Sequence, residues 1–319
     1  MFSRSRRGYV QKKPYRDLNT YFRSLYGCRV HKVTVDAGLD CPNRDGTLSH
    51  GGCIYCNAKG SGTGAHKKGL SVTEQIEGSK KRIERRFKTK KLLAYFQSFT
   101  NTYAPIEQLK SMWDEALSIE NVVGLAIGTR PDCVNNNILN LLESYTKNHL
   151  IWIEYGLQSA HDRTLARINR GHDFACFEKT VVKTKNRNIN ISAHVILGLP
   201  GETKADMLAT ADALAGLGID GVKLHLLYVV RGTALETLYK NGRYVCLEQQ
   251  AYAETVVEFI ERLPGGMIIQ RLTGDPHPKE LVAPVWSLQK KETLDLIHKT
   301  FSLRDAWQGK KFVEPNQRK

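Results

Sequence analysis

From residue 29 onward, short β-branched runs alternate with amphipathic stretches, and this alternation constrains the fold more than any other feature of the chain. Arg29–Asp36 (RVHKVTVD) alternates as a strand does. Ser71–Phe87 places Val72, Ile76, Ile83 and Phe87 on one helical face, and Ser71 with Glu74 has the form of a capping box. Further strands are expected at Leu92–Ser98, Val122–Ile127, Leu150–Leu157, Asn190–Leu197 and Gly221–Tyr228. Between and after them, helices are expected at Pro105–Ser118, Asn135–Lys147, Phe174–Asn188, Thr203–Leu217 and Glu248–Leu263. Six strand–helix units in series predict a parallel sheet with helical crossovers. At 319 residues the chain is short for eight units with insertions, so the expected fold is α/β, a partial (β/α)6 barrel with short terminal extensions. A doubly wound open sheet would show the same pattern. Met267–Leu272 is a candidate seventh strand and Ser287–Phe301 a closing helix. The domain reading is a basic N-terminal arm over 1–28, the barrel over 29–263, an extension packed on it over 264–308, and a disordered tail over 309–319.

Charge narrows the partners. Lys plus Arg number 47 against 32 Asp plus Glu, a formal net charge of +15. Such an excess favours a polyanion, nucleic acid ahead of an anionic membrane. Basic clusters stand at Arg4–Arg7, Lys12–Lys13, Lys80–Arg86 and Lys88–Lys91; each taken singly also fits a solvated face. No stretch approaches the roughly 18 apolar residues of a membrane span, and the first residues lack the apolar run of a signal peptide. The expected location is therefore the cytoplasm. There, seven cysteines point to metal or catalytic use rather than disulfides.

Three of those cysteines are close together. The loop after the first strand reads Cys41-Pro-Asn-Arg-Asp-Gly-Thr-Leu-Ser-His-Gly-Gly-Cys53-Ile-Tyr-Cys56. Iron–sulfur cubanes are held by cysteine thiolates, and three protein ligands on four irons leave one iron open to chelate a small molecule. A Cys-x2-Cys pair also suits zinc, for which His50 or His66 would supply a fourth ligand. Cys28, Cys133, Cys176 and Cys246 are dispersed and form no further pair of this spacing, so buried, inert thiols are their default reading.

Tyr55, the aromatic residue before the third cysteine, together with the cysteine spacing resembles the radical S-adenosylmethionine (SAM) superfamily. The first gap is widened to eleven residues. With Cys-Pro-Asn-Arg-Asp-Gly and Gly-Gly-Cys-Ile-Tyr-Cys on either side of it, the chain is similar to the YhcC/YtqA family, relatives of the Elongator catalytic subunit. Further matches are Gln-Ser-Phe-Thr-Asn-Thr-Tyr-Ala-Pro at 97–105, Gly-Thr-Arg-Pro-Asp-Cys at 128–133 and Glu-Tyr-Gly-Leu-Gln-Ser at 154–159. Asn-Arg-Gly-His at 169–172 and Leu-Gly-Leu-Pro-Gly-Glu at 197–202 complete the set.

The resemblance implies a [4Fe–4S] cluster on Cys41, Cys53 and Cys56, with SAM on the open iron. Reductive cleavage of SAM would then yield a 5′-deoxyadenosyl radical, fed by an electron donor such as flavodoxin or ferredoxin. It places the site at the carboxyl ends of the strands. Tyr55, Gln97, Ser98, Gln158, Ser159, Arg170 and Gly198 become candidates for holding SAM. Gln97 and Ser98 stand where the superfamily usually carries a Gly-Gly-Glu-like stretch, which this chain lacks. Arg130, Asp132, His194, His225 and Tyr228 become candidates for facing substrate; for His194 and His225 a core role is an equal reading, and Tyr103 and Tyr228 have the form to stack a base. The family's Elongator relatives act at the wobble uridine of tRNA. That implies a tRNA partner and remodelling of an existing C5 side chain, such as removal of the carboxymethyl part of a carboxymethylaminomethyl group. Two other classes stay open: a radical SAM enzyme on a small molecule or peptide, and a non-catalytic zinc-binding RNA module.

Overall fold

The computed structural model describes residues 13–57, 60 and 65–314. The Arg4–Arg7 cluster, Lys12 and residues 315–319 of the tail lie outside the described residues. Helix α1 (Leu18–Tyr26) is followed by β1 (His31–Val35), α2 (Val72–Phe87), β2 (Leu92–Phe96), α3 (Ile106–Ser118) and β3 (Val122–Thr129). Next come α4 (Asn136–Tyr145), β4 (Leu150–Gln158), a short α5 (Asp162–Arg167), α6 (Phe174–Thr184), β5 (Asn190–Leu197) and α7 (Lys204–Leu217). The chain then runs through β6 (Gly221–Leu226), β7 (Val229–Val230), α8 (Ala234–Lys240), α9 (Gln249–Glu261), β8 (Ile268–Arg271), β9 (Leu281–Ala283) and α10 (Lys290–Leu303).

Seven strands form one sheet in the order β1-β2-β3-β4-β5-β6-β8, every neighbouring pair parallel. This order excludes the doubly wound alternative, in which the strand order reverses at a switch point. The sheet is a partial barrel whose seventh strand is the candidate at Met267–Leu272. A small antiparallel ribbon, β7 with β9, stands apart.

Strand parity explains the two faces. Leu92, Ala94 and Phe96 on β2, Ile151, Ile153, Tyr155 and Leu157 on β4, and Val222, Leu224 and Leu226 on β6 all join the main core. The alternate residues point into the lumen, where Lys32, Tyr95, Glu154, His194, Lys223 and His225 make it polar. Inside the segment read as a basic arm, α1 closes the amino ends of the strands. Its Phe22 is buried against Leu93, Ala126, Trp152 and Ile268, and Tyr21 meets Trp152 edge-on. The capping box at Ser71 and Glu74 starts α2 as expected. Ile297 and Phe301 of α10 bury into the same core as the barrel helices.

Candidate active site at the carboxyl ends of the strands

Cys41, Cys53 and Cys56 line one pocket at the carboxyl ends of β2 to β5. The pocket is completed by Arg44, Tyr55, Tyr95, Gln97, Ser98, Gly128, Arg130, Glu154, Gly156, Gln158, Arg170 and His194. All three thiols are free. His50 and His66, the zinc-ligand candidates, do not line it. Among the described residues no three His, Cys, Asp or Glu side chains converge tightly enough to hold a single ion. A cube asks for less convergence, because each thiolate binds its own iron.

The Asn-Arg-Gly-His turn at 169–172 anchors the cysteine loop. Ile54 donates its amide to the Ile168 carbonyl (3.1 Å), and the Asn169 side chain donates to the Gly52 carbonyl (2.9 Å). Asn43 donates to the Asn169 carbonyl (2.6 Å) and lies 3.7 Å from Cys53 Sγ. Arg170 places Nη1 3.7 Å from the same sulfur and gives Nε and Nη2 to the Gly156 carbonyl (3.1 and 2.5 Å). Arg44 Nη1 stands 3.7 Å from Cys56 Sγ. Two glycines make this possible. A Cβ on Gly156 would come within 2.6 Å of Arg170 Nη2, and one on Gly171 (φ +78°) within 2.7 Å of Asn43 Oδ1.

These donors fit the implied cluster. Burial and then the neighbouring Cys53 push the Cys56 thiol above its ordinary value, so a bound cation is what would hold it as thiolate. Two guanidinium groups and an amide aimed at two sulfurs are the kind of outer donors that orient metal-bound ligands. Arg170 therefore serves the sulfur and the β4 backbone, and the structure gives it no free fork for the SAM carboxylate. Arg130 is nearly fully buried, pairs bidentately with Asp132 (2.9 and 2.7 Å) and donates to the Arg170 carbonyl (2.8 Å). Asp132 lies in a neighbouring groove with Tyr103 and Cys133.

The pocket also fits SAM. Ser98 (φ +125°) and Phe99 (φ +58°) hold two successive left-handed conformations, in the place where the superfamily carries glycines. The buried Ser98 hydroxyl has no hydrogen-bond partner among the described residues. Gln158 is also left-handed (φ +81°) and follows a bulge between β4 and β5. Ser159 and Gly198 stand outside the pocket. Ser159 is fully buried, gives its hydroxyl to Glu202 and accepts the His161 amide (3.1 Å). Gly198 closes a turn beneath Tyr244, whose hydroxyl donates to its carbonyl (3.0 Å). Tyr228 packs against Gly274 beyond the pocket wall.

Below the thiols the pocket opens onto charge. Glu154 is fully buried, accepts from Lys32 (2.7 Å) and His194 (3.0 Å), and pairs with Lys223. Burial alone would raise its carboxyl, yet Lys223 and Lys32 bring it well below the usual range. The His194 and His225 rings lie 5.2 Å apart. Burial, then Lys223, lowers His194 to about 4; burial, then Arg271, puts His225 well below its ordinary value. The fold thus binds fewer protons here than the unfolded chain. Stability is expected to fall as pH drops from 6.5 toward 4, by on the order of 3 kcal/mol for His194. His194→Gln should flatten that acid limb in urea midpoints measured against pH; an unchanged slope would rule His194 out as its source.

Lys32, Glu154 and Lys223 were missed in the sequence, although a charge in mid-strand at the parity of His194 was a readable signal. Asn43 and Arg44 were missed as well, inside the quoted Cys-Pro-Asn-Arg motif.

Residues 46–214 match the family profile described as the Radical SAM superfamily, and residues 219–302 the Radical_SAM C-terminal domain. This chain belongs to the radical SAM superfamily. A [4Fe–4S] cluster and SAM are the cofactors of that family. Among its relatives, the uncharacterized protein YtqA of Bacillus subtilis is 40% identical over 301 residues, 94% of either chain. Protein YhcC of Escherichia coli is 41% identical over 262 residues, 82% of this chain and 84% of that one. In fold, the radical SAM chain resembles the Elp3 of the archaeon Methanocaldococcus infernus with an N-terminal deletion. The TM-score is 0.67 at 17% identity, covering 88% of this chain and 64% of that one.

Proposed function

We propose that this radical SAM enzyme modifies tRNA, remodelling the C5 side chain of the wobble uridine. The observation that carries the reading is the pocket itself. It gathers three thiols at the strand ends with the lumen residues Tyr95, Glu154 and His194. Cys41, Cys53 and Cys56 would hold the cluster. Ser98, Gln97, Gln158 and the backbone at Gly128 and Gly156 would hold SAM, with Tyr55 beside it. When bound, the two cofactors supply a 5′-deoxyadenosyl radical for hydrogen abstraction. The chain's own residues orient them. Asn43, Arg44 and Arg170 fix the thiolates, and the left-handed turn at Ser98–Phe99 opens room above the sheet.

The choice of tRNA rests on charge and kinship. Lys81, Arg82, Arg85, Arg86, Lys88 and Lys90 stand exposed on and after α2, the helix that follows the cysteine loop. A face of this kind contacts phosphates without reading sequence. The family's kinship with the Elongator catalytic subunit, carried by motifs such as 97–105 and 154–159, favours the wobble uridine, with carboxymethyl removal as the chemistry put first.

The test is anaerobic reconstitution with iron and sulfide, then incubation with SAM, reductant and tRNA lacking or carrying C5 modifications. Deoxyadenosine and nucleoside masses are read together. Deoxyadenosine that rises with tRNA and tracks a changed wobble nucleoside is the expected result. Deoxyadenosine indifferent to tRNA, at any salt concentration, would move the substrate to a small molecule or peptide.

A further inference from the structure

Most cations of α2 stand at the far end of the barrel from the thiols. The helix leaves the cysteine loop at the carboxyl ends of the strands and runs back to their amino ends, where β1 and β2 begin as the pair His31 and Leu92. Its 16 residues rise about 24 Å over that course. Residues 81–91, at the amino end, hold seven Lys or Arg and a single acid, Glu84. One or two cations would complement the helix dipole, and seven exceed that need.

The cluster is held in place by its backbone and by one ring. His31 donates its amide to the Lys91 carbonyl (3.0 Å), and the buried Thr89 gives its hydroxyl to the Arg29 carbonyl, so Arg29 joins the turn after α2. The guanidinium carbon of Arg29 lies 4.6 Å from the centre of the Phe87 ring and that of Arg86 lies 5.2 Å from it, while His31 stacks on the same ring at 4.5 Å. Lys91 Nζ stands 5.3 Å from the ring of Tyr26, at the end of α1. Arg29, Arg82, Arg86, Lys88 and Lys90 are exposed, and Lys91 is half-buried. Among the described residues none of these six pairs with a carboxylate, and Glu77, the acid one turn before Lys81, is taken by Lys80 (3.1 Å). Burial, then Arg29, Arg86 and Arg82, holds the His31 imidazole below its ordinary value, as positive charge without a counter-ion should.

Guanidinium groups at fixed spacing and free of carboxylates match the regular phosphates of a nucleic-acid duplex, and duplex RNA is bound in this way, by shape and backbone. Fluid lipid headgroups ask for no fixed spacing. We propose that Arg29, Arg82, Arg86, Lys88, Lys90 and Lys91 dock the phosphate backbone of a helical segment of the substrate RNA, about 24 Å along the barrel from the nucleotide in the pocket. That the substrate is RNA rests on the tRNA reading above; that its docking is remote from the pocket rests on the patch. The base in the pocket and the duplex on the patch are then two contacts of one folded molecule, the first specifying and the second supplying affinity.

The test measures equilibrium binding of two RNAs, a folded full-length tRNA and a single-stranded heptamer with the sequence of its anticodon loop. The variant combines Arg82→Gln, Lys88→Gln and Lys90→Gln, three exposed positions, and its unfolding midpoint is compared with that of the wild type to show that the fold is kept. It should bind the tRNA about 10–100-fold more weakly at physiological salt. The slope of log affinity against log salt should shrink by about 2–3, close to one counterion for each phosphate contact removed. Affinity for the heptamer should change by less than about twofold, because that strand reaches the pocket and not the patch. A variant that keeps the wild-type affinity and slope for tRNA overturns the patch and spares the tRNA reading. Equal losses for tRNA and heptamer overturn the remote docking, since the cations would then act on any nearby strand. A wild type that binds vesicles rich in phosphatidylserine and no tRNA assigns the patch to a membrane and overturns both readings, as does one that binds neither.

Discussion

Glu154→Gln is expected to destabilise the protein by about 3–5 kcal/mol, read as a lower midpoint in urea or thermal unfolding. Glu154 stands at the centre of the lumen network, fully buried and shared by Lys32, Lys223 and His194. Glutamine keeps its shape and an acceptor oxygen but removes the charge that two buried ammonium groups require. The cost is therefore the uncompensated cations rather than a cavity, and pH separates the two. Burial already holds Lys223 well below the ordinary lysine range, and without Glu154 it must fall further, so the variant's fold binds still fewer protons than the wild type's. The variant's deficit should then shrink as pH rises from neutrality toward 10, whereas a cavity would cost the same throughout. Adding Lys223→Met to Glu154→Gln should recover part of the loss, because neither half of the pair is then left unmatched. A single variant within about 1 kcal/mol of wild type would show that the network does not hold the barrel together.

That network marks where sequence reading stopped. The alternation from Arg29 onward is a local signal, and so is the spacing of Cys41, Cys53 and Cys56; both carry to the strands and to one pocket. The lumen was harder, because a side chain's face depends on register and not on its neighbours in the chain. Lys223 lies between Val222 and Leu224, and Glu154 between Ile153 and Tyr155, so each reads as a flaw in an apolar strand until parity aligns them with His194. Ser159 sits beside Gln158, which lines the pocket, and Gly198 lies in a motif of which no residue does; the turns after β4 and β5 carry both away from it. The turn at Ser98–Phe99 shows a different limit. Its backbone takes the left-handed form expected of glycine, while its residue types give no hint of it. Arg170 was legible as functional but not in its role, since only the folded chain shows its guanidinium spent on Gly156 and Cys53.

Cys53→Ala is expected to abolish cluster assembly and reduce SAM cleavage to background. Of the three thiols, Cys53 is the one approached by both Asn43 and Arg170, and it is buried beneath the turn at 169–172. Two remaining thiolates cannot hold a cubane with a single open iron. Iron and sulfide content and the broad visible absorbance of the reconstituted protein measure this independently of catalysis. Fold is followed by far-ultraviolet circular dichroism and should be retained, because the strand frame does not depend on this loop. Arg170→Gln supplies the graded companion. The thiolates remain, so a cluster should form, but with its outer donor gone activity should fall by about 10–100-fold, as for other residues that orient metal ligands. The loss of a cationic donor at 3.7 Å from Cys53 should also make the cluster harder to reduce, a shift that redox titration followed by electron paramagnetic resonance would detect. A guanidinium that merely packed against the loop would leave the potential where it was. A Cys53→Ala protein that assembles a full complement of iron and cleaves SAM as the wild type does would instead require a ligand from outside the loop, and would transfer the cluster's third position to one of the dispersed cysteines.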